Sequence, residues 1–259
     1  MSHVVMFSGG ITSYATAKRT IAQHGGQGVT LLFCDTTIEH PDTYRFISEA
    51  SAHLGVPLVT LRDGRSPREV FRDRRMLGNS RIAPCSTELK QKPARRWMEE
   101  NAPDAAVVLG IDWTEEHRLP GARAGWEPWR VEAPLTEPPY RTKDELLDDL
   151  EREGIARPAL YRMGFSHNNC GGGCPRAGLA QWSHLYRTDP AWFGWWEETE
   201  EYMRDYLRAD VAMLRDRRGG DTQPLTLRSV REQLERQPAL FANEEWGGCG
   251  CFVSEEPRL

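Results

Sequence analysis

An apolar segment near the start of the sequence runs directly into two glycines. Residues 4–7 read Val-Val-Met-Phe, and Ser8, Gly9 and Gly10 separate them from a segment with helical periodicity. Glycines let the backbone turn and approach a ligand closely, and the free amides at the start of a helix favour phosphate. The hydroxyls of Ser8 and Ser13 add donors. The segment therefore predicts a phosphate-binding loop, although so short a motif is equally typical of an ordinary turn.

Strand-like and helix-like segments alternate over the first hundred residues. Strands are expected over 4–7, 29–34, 57–61 and 105–110, and helices over 12–24, 41–54 and 87–101. This alternation predicts an α/β fold, a parallel twisted sheet with helices on both faces and ligands at the carboxyl ends of the strands. Ser8, Asp35 and Gly110 fall at such ends, so one nucleotide pocket is expected there. Asp35 taken alone is equally typical of a turn or a helix cap.

The rhythm breaks after residue 118. The prolines that follow are Pro120, Pro128, Pro134, Pro138 and Pro139. They predict a loop-rich crossing, which is a lid or linker and not a strand. Thr142 and Glu145 have the spacing of a capping box, and residues 176–215 are expected to be helical with most of their aromatic side chains in the core. We therefore expect a core over 1–118 and a second region over 119–259, packed together as one compact unit.

Composition is typical of a compact soluble enzyme. The 259 residues are 39% hydrophobic and carry a formal net charge of −5, so any contact with nucleic acid must use a local patch. No apolar run approaches the ~20 residues that span a bilayer, and no signal pattern opens the sequence. A cytoplasmic protein without membrane contact is expected.

Two histidines are placed to act as a ligand or a proton carrier. His167 stands three residues before a cysteine, and His117 stands three residues before a proline. A lone histidine in a loop usually does neither. The sequence has no His-x-x-x-His zinc helix, which argues against a metalloprotease.

Five of the six cysteines stand in distinctive surroundings. Cys85 lies in a basic stretch, while Cys170 with Cys174 and Cys249 with Cys251 form two glycine-flanked pairs. Glycines let backbone amides face a charged centre, as iron–sulfur and zinc loops require. The five are therefore candidate metal ligands, as a cluster or as a zinc site, and a redox thiol pair at the C-terminus is the third interpretation. Cys34 ends a predicted strand and is expected in the core.

The phosphate-loop motif and several later segments resemble the PP-loop adenine nucleotide alpha hydrolase-like superfamily. This superfamily holds ATP pyrophosphatases, tRNA thiolases and phosphoadenosine phosphosulfate (PAPS) reductases. Residues 31–46 are similar to the second strand and acidic turn of PAPS reductases, 84–90 to their Cys-x-x-x-Leu-Lys segment, and 109–118 to the strand whose glycine faces the nucleotide. The chain most closely resembles PAPS reductase-like proteins of phage genomes, which carry Asn-Asn-Cys-Gly-Gly-x-Cys and a terminal Gly-Gly-Cys-Gly-Cys-Phe.

The resemblance implies binding of ATP or an adenylyl sulfate. The residues expected to contact it are Ser8, Gly9, Gly10, Thr12, Ser13, Asp35, Gly110, Arg81, Lys90 and Arg118. Arg81 and Lys90 belong to the basic stretch around Cys85, for which a solvated helix face is the alternative. Thr12 stands where ATP pyrophosphatases have an acidic residue, so Mg²⁺ is left open. The C-terminal Cys-Gly-Cys-Phe replaces the Glu-Cys-Gly-x-His motif of true PAPS reductases.

The resemblance also implies roles for the cysteines. Related enzymes hold [4Fe–4S] clusters, so a cluster bound by three or four of the five cysteines is preferred over Zn²⁺. Cys85, Cys249 and Cys251 are the candidate catalytic thiols. The favoured function is adenylation of a nucleic-acid or small-molecule acceptor for sulfur transfer. The alternatives are a PAPS or APS reductase that uses a C-terminal cysteine, and a non-catalytic nucleotide-sensing or anti-defence module with structural zinc.

Overall fold

A five-stranded parallel sheet lies at the centre of the computed structural model, which describes residues 2–216, 221–238 and 246. Its strands are β1 (His3–Met6), β2 (Val29–Asp35), β3 (Leu58–Arg62), β4 (Ala106–Val108) and β5 (Val131–Glu132). Their spatial order is β3-β2-β1-β4-β5, and every pairing is parallel. The predicted α/β fold with a parallel sheet is therefore confirmed. The chain changes direction along the sheet between β1 and β4, where open parallel sheets form their ligand crevice.

Helices cover both faces of the sheet. They are α1 (Ile11–His24), α2 (Pro41–Leu54), α3 (Pro67–Arg74), α4 (Pro84–Ser86), α5 (Lys92–Asn101), α6 (Leu119–Trp126) and α7 (Lys143–Arg152). A π-helical turn over Thr87–Gln91 joins α4 to α5. Val5 and Phe7 pack towards α1 and α2, whereas Val4 and Met6 pack towards α5 and α6. This is the alternation that a strand imposes when both of its faces are buried.

The remaining elements form a third apolar core beside the sheet. They are α8 (Ala159–Arg162), α9 (Leu179–Thr188), α10 (Pro190–Leu207), β6 (Leu214–Asp216), β7 (Gln223–Leu225) and α11 (Leu227–Arg236). Trp182, Phe193 and Trp196 are fully buried there, as expected for a helical region rich in aromatics. Tyr202 and Tyr206 differ, since they are exposed and stack on each other with ring centroids 6.0 Å apart.

The expected loop-rich crossing after residue 118 is wrong in two places. Residues 119–126 form a helix. Pro120 does not prevent it, because the proline stands in the first turn, where a missing amide costs no intrahelical hydrogen bond. Residues 131–132 form the fifth strand, which pairs with β4. The capping box of α7 is confirmed, since the backbone N–H of Glu145 donates to Thr142 Oγ1 at 3.3 Å and that of Thr142 donates to Glu145 Oε2 at 2.7 Å.

Cys34 is buried in the core, as predicted. Within the described ranges, none of the helices combines the length and the apolar character needed to cross a membrane.

Glu200 holds the C-terminal elements onto α10. Its side chain is fully buried, and its two carboxylate oxygens accept hydrogen bonds from the backbone N–H groups of Met213 at 2.8 Å and Leu227 at 2.6 Å. These bonds attach the start of β6 and the start of α11 to one helix. The contact therefore replaces two water hydrogen bonds that folding removes.

Replacing Glu200 by Ala should lower the free energy of unfolding by about 2–4 kcal/mol, because two buried amides lose their acceptor. Urea unfolding followed by circular dichroism would measure it. Glu198→Ala is the matched control on the same helix, since its side chain is 77% exposed, and a change within about 0.5 kcal/mol is expected. Equal losses in the two variants would contradict this role for Glu200.

Candidate functional site

Two glycines bring the loop after β1 against the end of β4. Gly9 has φ +80, and a Cβ built on it would lie 2.9 Å from the methyl carbon of Thr43. A Cβ on Gly110 would lie 3.1 Å from the backbone nitrogen of Ser13. A larger residue at Gly9 would push the loop away from α2, and a larger residue at Gly110 would push the first turn of α1 away from the end of β4. The glycines therefore fix the distance between this turn and the strand ends.

A cleft opens at the carboxyl ends of β1 and β4. The polar and glycine residues along it are Ser8, Gly10, Thr12, Ser13, Gly110, Glu115, Arg118, Lys143, Tyr161, His167, Asn168 and Asn169. Met6, Leu109 and Ile111 supply its apolar wall. Six of the predicted nucleotide-contacting positions thus meet in one place, and Gly9 belongs to the same loop. The cleft occupies the crevice where the chain changes direction along the sheet.

Positive charge faces the start of α1 across this cleft. Arg118 forms an ion pair of 2.7 Å with Glu115, and Lys143 donates to the carbonyl oxygen of Ser166 at 3.4 Å. The first turn of α1 contains no acidic residue, so its amides and dipole also attract an anion. Desolvation, followed by the charges of Lys143 and Arg118, lowers the pKa of His167 to about 3. The arrangement is suited to a phosphate or sulfate group.

Tyr161 and Lys143 are cleft residues that the sequence did not reveal. The backbone N–H of Ile11 donates to the Tyr161 hydroxyl at 3.0 Å, so this side chain occupies the first amide of α1. Ile11 and Tyr161 are 150 positions apart, so no local sequence pattern indicates that a tyrosine in α8 contacts the start of α1. Lys143 was visible only as part of a helix start. The helix cap at Thr142 was the available signal, because it places the next side chain at a fixed position.

Three predicted nucleotide-contacting residues lie outside the cleft. Asp35 is buried, and its carboxylate accepts a hydrogen bond from Arg62 Nε at 2.9 Å. Its charge is therefore paired with a residue of the neighbouring strand β3. Arg81 is exposed on a turn, where its backbone N–H donates to Asn79. Lys90 is buried with its Nζ 3.6 Å from Glu39 Oε1. Tertiary partners, which a local pattern does not contain, account for the positions of Asp35 and Lys90.

Three of the candidate metal-ligating cysteines line a second cavity. Cys85, Cys170 and Cys174 meet there with Lys90, and none of the three forms a disulfide with another described cysteine. A hydrogen bond with Cys174, and after it burial, raise the pKa of Cys170 well above its usual range. Without a bound group the Cys170 thiol therefore stays protonated at neutral pH. Cys249 and Cys251, predicted as ligands and catalytic thiols, lie outside the described residues.

The surroundings of the cysteines fit a metal ion or a sulfur-rich group. Trp196 lines the same cavity, and its buried indole N–H has no hydrogen-bond partner among the described residues. A buried donor without an acceptor is costly, and a thiolate or sulfide sulfur would satisfy it. A positive metal would also lower the pKa of the thiols and convert them to the ligating form. The donor set is therefore compatible with either zinc or an iron–sulfur cluster.

The cleft and the cysteine cavity share one segment. Asn168 and Asn169 line the cleft, and Cys170, the next residue, lines the cavity. Asn168 Nδ2 donates to the carbonyl oxygen of Gly9 at 2.8 Å, which ties this segment to the phosphate loop. The two sites are therefore immediate neighbours.

Comparison with known proteins agrees with the N-terminal part of this description. Residues 2–120 match the phosphoadenosine phosphosulfate reductase domain family, and they form a PAPS reductase-like domain of the PP-loop superfamily. The resemblance inferred from the sequence is thus confirmed for this part of the chain.

Similar proteins include two without an assigned function. An uncharacterised protein of Methanocaldococcus jannaschii is 24% identical over 212 residues, which are 78% of this chain and 42% of that protein. An uncharacterised nin region protein of Escherichia phage lambda is 42% identical over 62 residues, which are 24% of this chain and 21% of that protein. The chain thus spans less than half the length of these relatives. A crystal structure of PAPS reductase from Candida auris, a phosphate complex, is 18% identical with a TM-score of 0.44, and the match covers 65% of this chain and 80% of that chain.

The lowered pKa of His167 makes a pH-dependent contribution to stability. The unfolded chain takes up a proton at this residue near pH 6.5, whereas the folded protein does so near pH 3. The contribution is complete above pH 6.5 and is lost as the pH falls towards 3, by at most about 1.4 kcal/mol per pH unit. Urea unfolding between pH 7.5 and pH 5 should therefore show a shallower decline in His167→Gln than in the wild type. The exposed residue His117 provides the control, since His117→Gln should keep the wild-type slope, and a wild-type slope in His167→Gln would refute the prediction.

Proposed function

We propose that this protein is an enzyme that binds ATP or an adenylyl sulfate in the cleft and activates an acceptor for sulfur transfer. The observation that supports this function best is the shared segment Asn168–Cys170, which borders the cleft at one end and the cysteine cavity at the other. Activation by a nucleotide and handling of sulfur would then occur side by side. An activated intermediate would not have to leave the protein between the two steps.

The cleft residues would act on the phosphates of the nucleotide. The amides at the start of α1, with Arg118 and Lys143, would stabilise the negative charge that develops when an acceptor oxygen attacks the α-phosphorus. Pyrophosphate leaves with the electrons of the broken P–O bond. A sulfur nucleophile at the cysteine cavity then attacks the carbon that carries the adenylated oxygen, and AMP leaves.

The cofactors follow from the side chains available at each site. Glu115 is the carboxylate among the residues along the cleft, and it is paired with Arg118. Mg²⁺ would therefore be held mainly by the phosphates of the nucleotide. Cys85, Cys170 and Cys174 would hold a [4Fe–4S] cluster, which we prefer, or Zn²⁺, with Cys249 or Cys251 as a fourth ligand. A cluster would supply an iron site for sulfur, whereas zinc would fold the C-terminal segment onto the body.

Two alternatives predict different products. A reductase acting on PAPS or APS would use the thiolate of Cys249 or Cys251 to attack the sulfonate sulfur, which breaks the S–O bond and releases the nucleotide monophosphate. A second thiol would then attack the resulting S-sulfocysteine, release sulfite and form a disulfide. The match of residues 2–120 to the PAPS reductase domain favours this alternative. A nucleotide-sensing module would bind the ligand and release neither product. Pyrophosphate from ATP, sulfite from PAPS or APS, and no turnover are the outcomes that separate the three.

Lys143→Ala should weaken binding of ATP about 10- to 100-fold, because one charge-assisted hydrogen bond to phosphate is lost. Isothermal titration calorimetry with ATP, and separately with PAPS, measures the change. Lys92→Ala is the matched control, since Lys92 is exposed and its Nζ pairs with Glu88 at 2.7 Å away from the cleft. Equal affinity in the two variants would refute a phosphate site at Lys143.

Protein purified without oxygen should contain a metal that depends on Cys170. We expect iron and sulfide in the wild type and at least a severalfold loss in Cys170→Ser, because one ligand is removed. Cys34→Ala is the control, since Cys34 is buried in the sheet core and should retain the wild-type content. Zinc in place of iron would support the structural-zinc alternative, and a metal content unaffected by Cys170→Ser would refute the cysteine site.

A further inference from the structure

Two histidines and a glutamate meet at the amino end of β1, away from the cleft. His3 begins that strand, His24 ends α1, and Glu132 ends β5. His3 Nε2 is 3.6 Å and His24 Nε2 is 3.9 Å from Glu132 Oε2. Each of the three side chains offers one ligand atom, and these atoms all lie within 4.8 Å of one another. Among the described residues, these side chains therefore form a group that could hold a metal ion. The two imidazole rings stack with their centroids 4.0 Å apart.

His3 is buried without a hydrogen-bond partner. It is 3% exposed, and neither of its ring nitrogens makes a hydrogen bond. Buried polar atoms in folded proteins are nearly always satisfied, so each exception calls for an explanation. Ring stacking accounts for the position of the imidazole but leaves its nitrogens unsatisfied. An ion coordinated by Nε2 would satisfy the nitrogen that faces Glu132.

We propose that His3, His24 and Glu132 bind a divalent transition-metal ion, with Zn²⁺ the best match to the donor set. Imidazole nitrogen with one carboxylate suits zinc and its neighbours in the first transition row, whereas Mg²⁺ and Ca²⁺ require oxygen ligands. A tetrahedral zinc ion separates its N and O ligand atoms by about 3.4 Å. The distances of 3.6 and 3.9 Å are close to this value. The two rings are nearly parallel, with 19° between their planes, so one imidazole must rotate out of the stack before both nitrogens direct their lone pairs at the same ion.

The second oxygen of Glu132 is already held in place. Arg130 Nη2 lies 2.6 Å from Glu132 Oε1, so Oε2 remains directed towards the histidines. Carboxylates that bind metals are commonly oriented by such an outer partner. His24 and Glu132 also border an open cleft, which gives an ion access and leaves room for a water as the fourth ligand.

The ion would have a structural role. Ser8 follows His3 by five residues, which is about 16 Å along an extended strand, so the ion would not contact a nucleotide in the cleft. It would instead join the last turn of α1 to the first residue of β1 and to the edge strand β5. Because the opposite end of α1 carries the phosphate loop, the ion would fix the helix at the end that the loop does not hold.

Cobalt provides a visible probe of this site in the whole chain as isolated. A Co²⁺ ion bound by nitrogen and oxygen gives weak d–d bands, whereas a thiolate site adds intense sulfur-to-metal charge transfer in the near ultraviolet. The wild type should take up one Co²⁺ per chain with d–d bands alone. His24→Ala and Glu132→Gln should each lose this equivalent, and the increase in the melting temperature that Zn²⁺ produces in the wild type should disappear.

His53→Ala is the matched control. The side chains of His24 and His53 are similarly exposed, at 39% and 41%, and each stands in the last turn of a helix near a glutamate. We expect His53→Ala to bind Co²⁺ like the wild type. Identical Co²⁺ uptake and spectra in the wild type, His24→Ala and Glu132→Gln would overturn the proposal. Uptake accompanied only by charge-transfer bands would also overturn it, because the ion would then be bound by cysteines.

Discussion

The hydrogen bond from Asn168 to the carbonyl oxygen of Gly9 joins the two halves of the candidate site. It is 2.8 Å long and buried, so the carbonyl has no water to replace this partner. The hydroxyl of Thr43 donates to the side-chain oxygen of Asn168 at 3.4 Å. The methyl group of Thr43 also leaves no room for a Cβ on Gly9. The shape of the phosphate loop and the position of the cysteine segment are therefore determined together. A shift of either one would leave a buried polar group unpaired.

The two neighbouring sites differ in their electrostatics. The cleft combines a helix start with Arg118 and Lys143, and the histidine between them is kept neutral, so the field favours an anion. In the cysteine cavity a hydrogen bond with Cys174, burial and the charge of Glu39 raise the pKa of Cys170 by more than the charge of Lys90 lowers it. The cleft is therefore suited to an anion as it stands, whereas a metal ion would lower the pKa of Cys170 and convert it to the thiolate.

Local sequence patterns predicted the elements that are built from neighbouring residues. The β1–α1 unit, the following strands and the α7 cap are in this class, because strand alternation and capping depend on residues a few positions apart. The helix over 119–126 was missed, since a proline in the first turn has the same local appearance as a proline in a loop. The contact between Tyr161 and Ile11, and the ion pair that withdraws Asp35 from the cleft, depend on tertiary packing that no short pattern contains.

Aromatic packing gives the cysteine turn its fixed shape. A Cβ on Gly171, Gly172 or Gly173 would lie 2.6, 2.7 or 2.1 Å from the rings of Trp192, Phe165 and Trp196, respectively. Cys170 itself has φ +51, a strained value for a residue with a side chain, and the next two glycines continue in the positive-φ region. Such a backbone persists only where its surroundings hold it. The spacing of Cys170 and Cys174 is therefore set by the packed rings before any ligand binds, which lowers the entropic cost of capturing one.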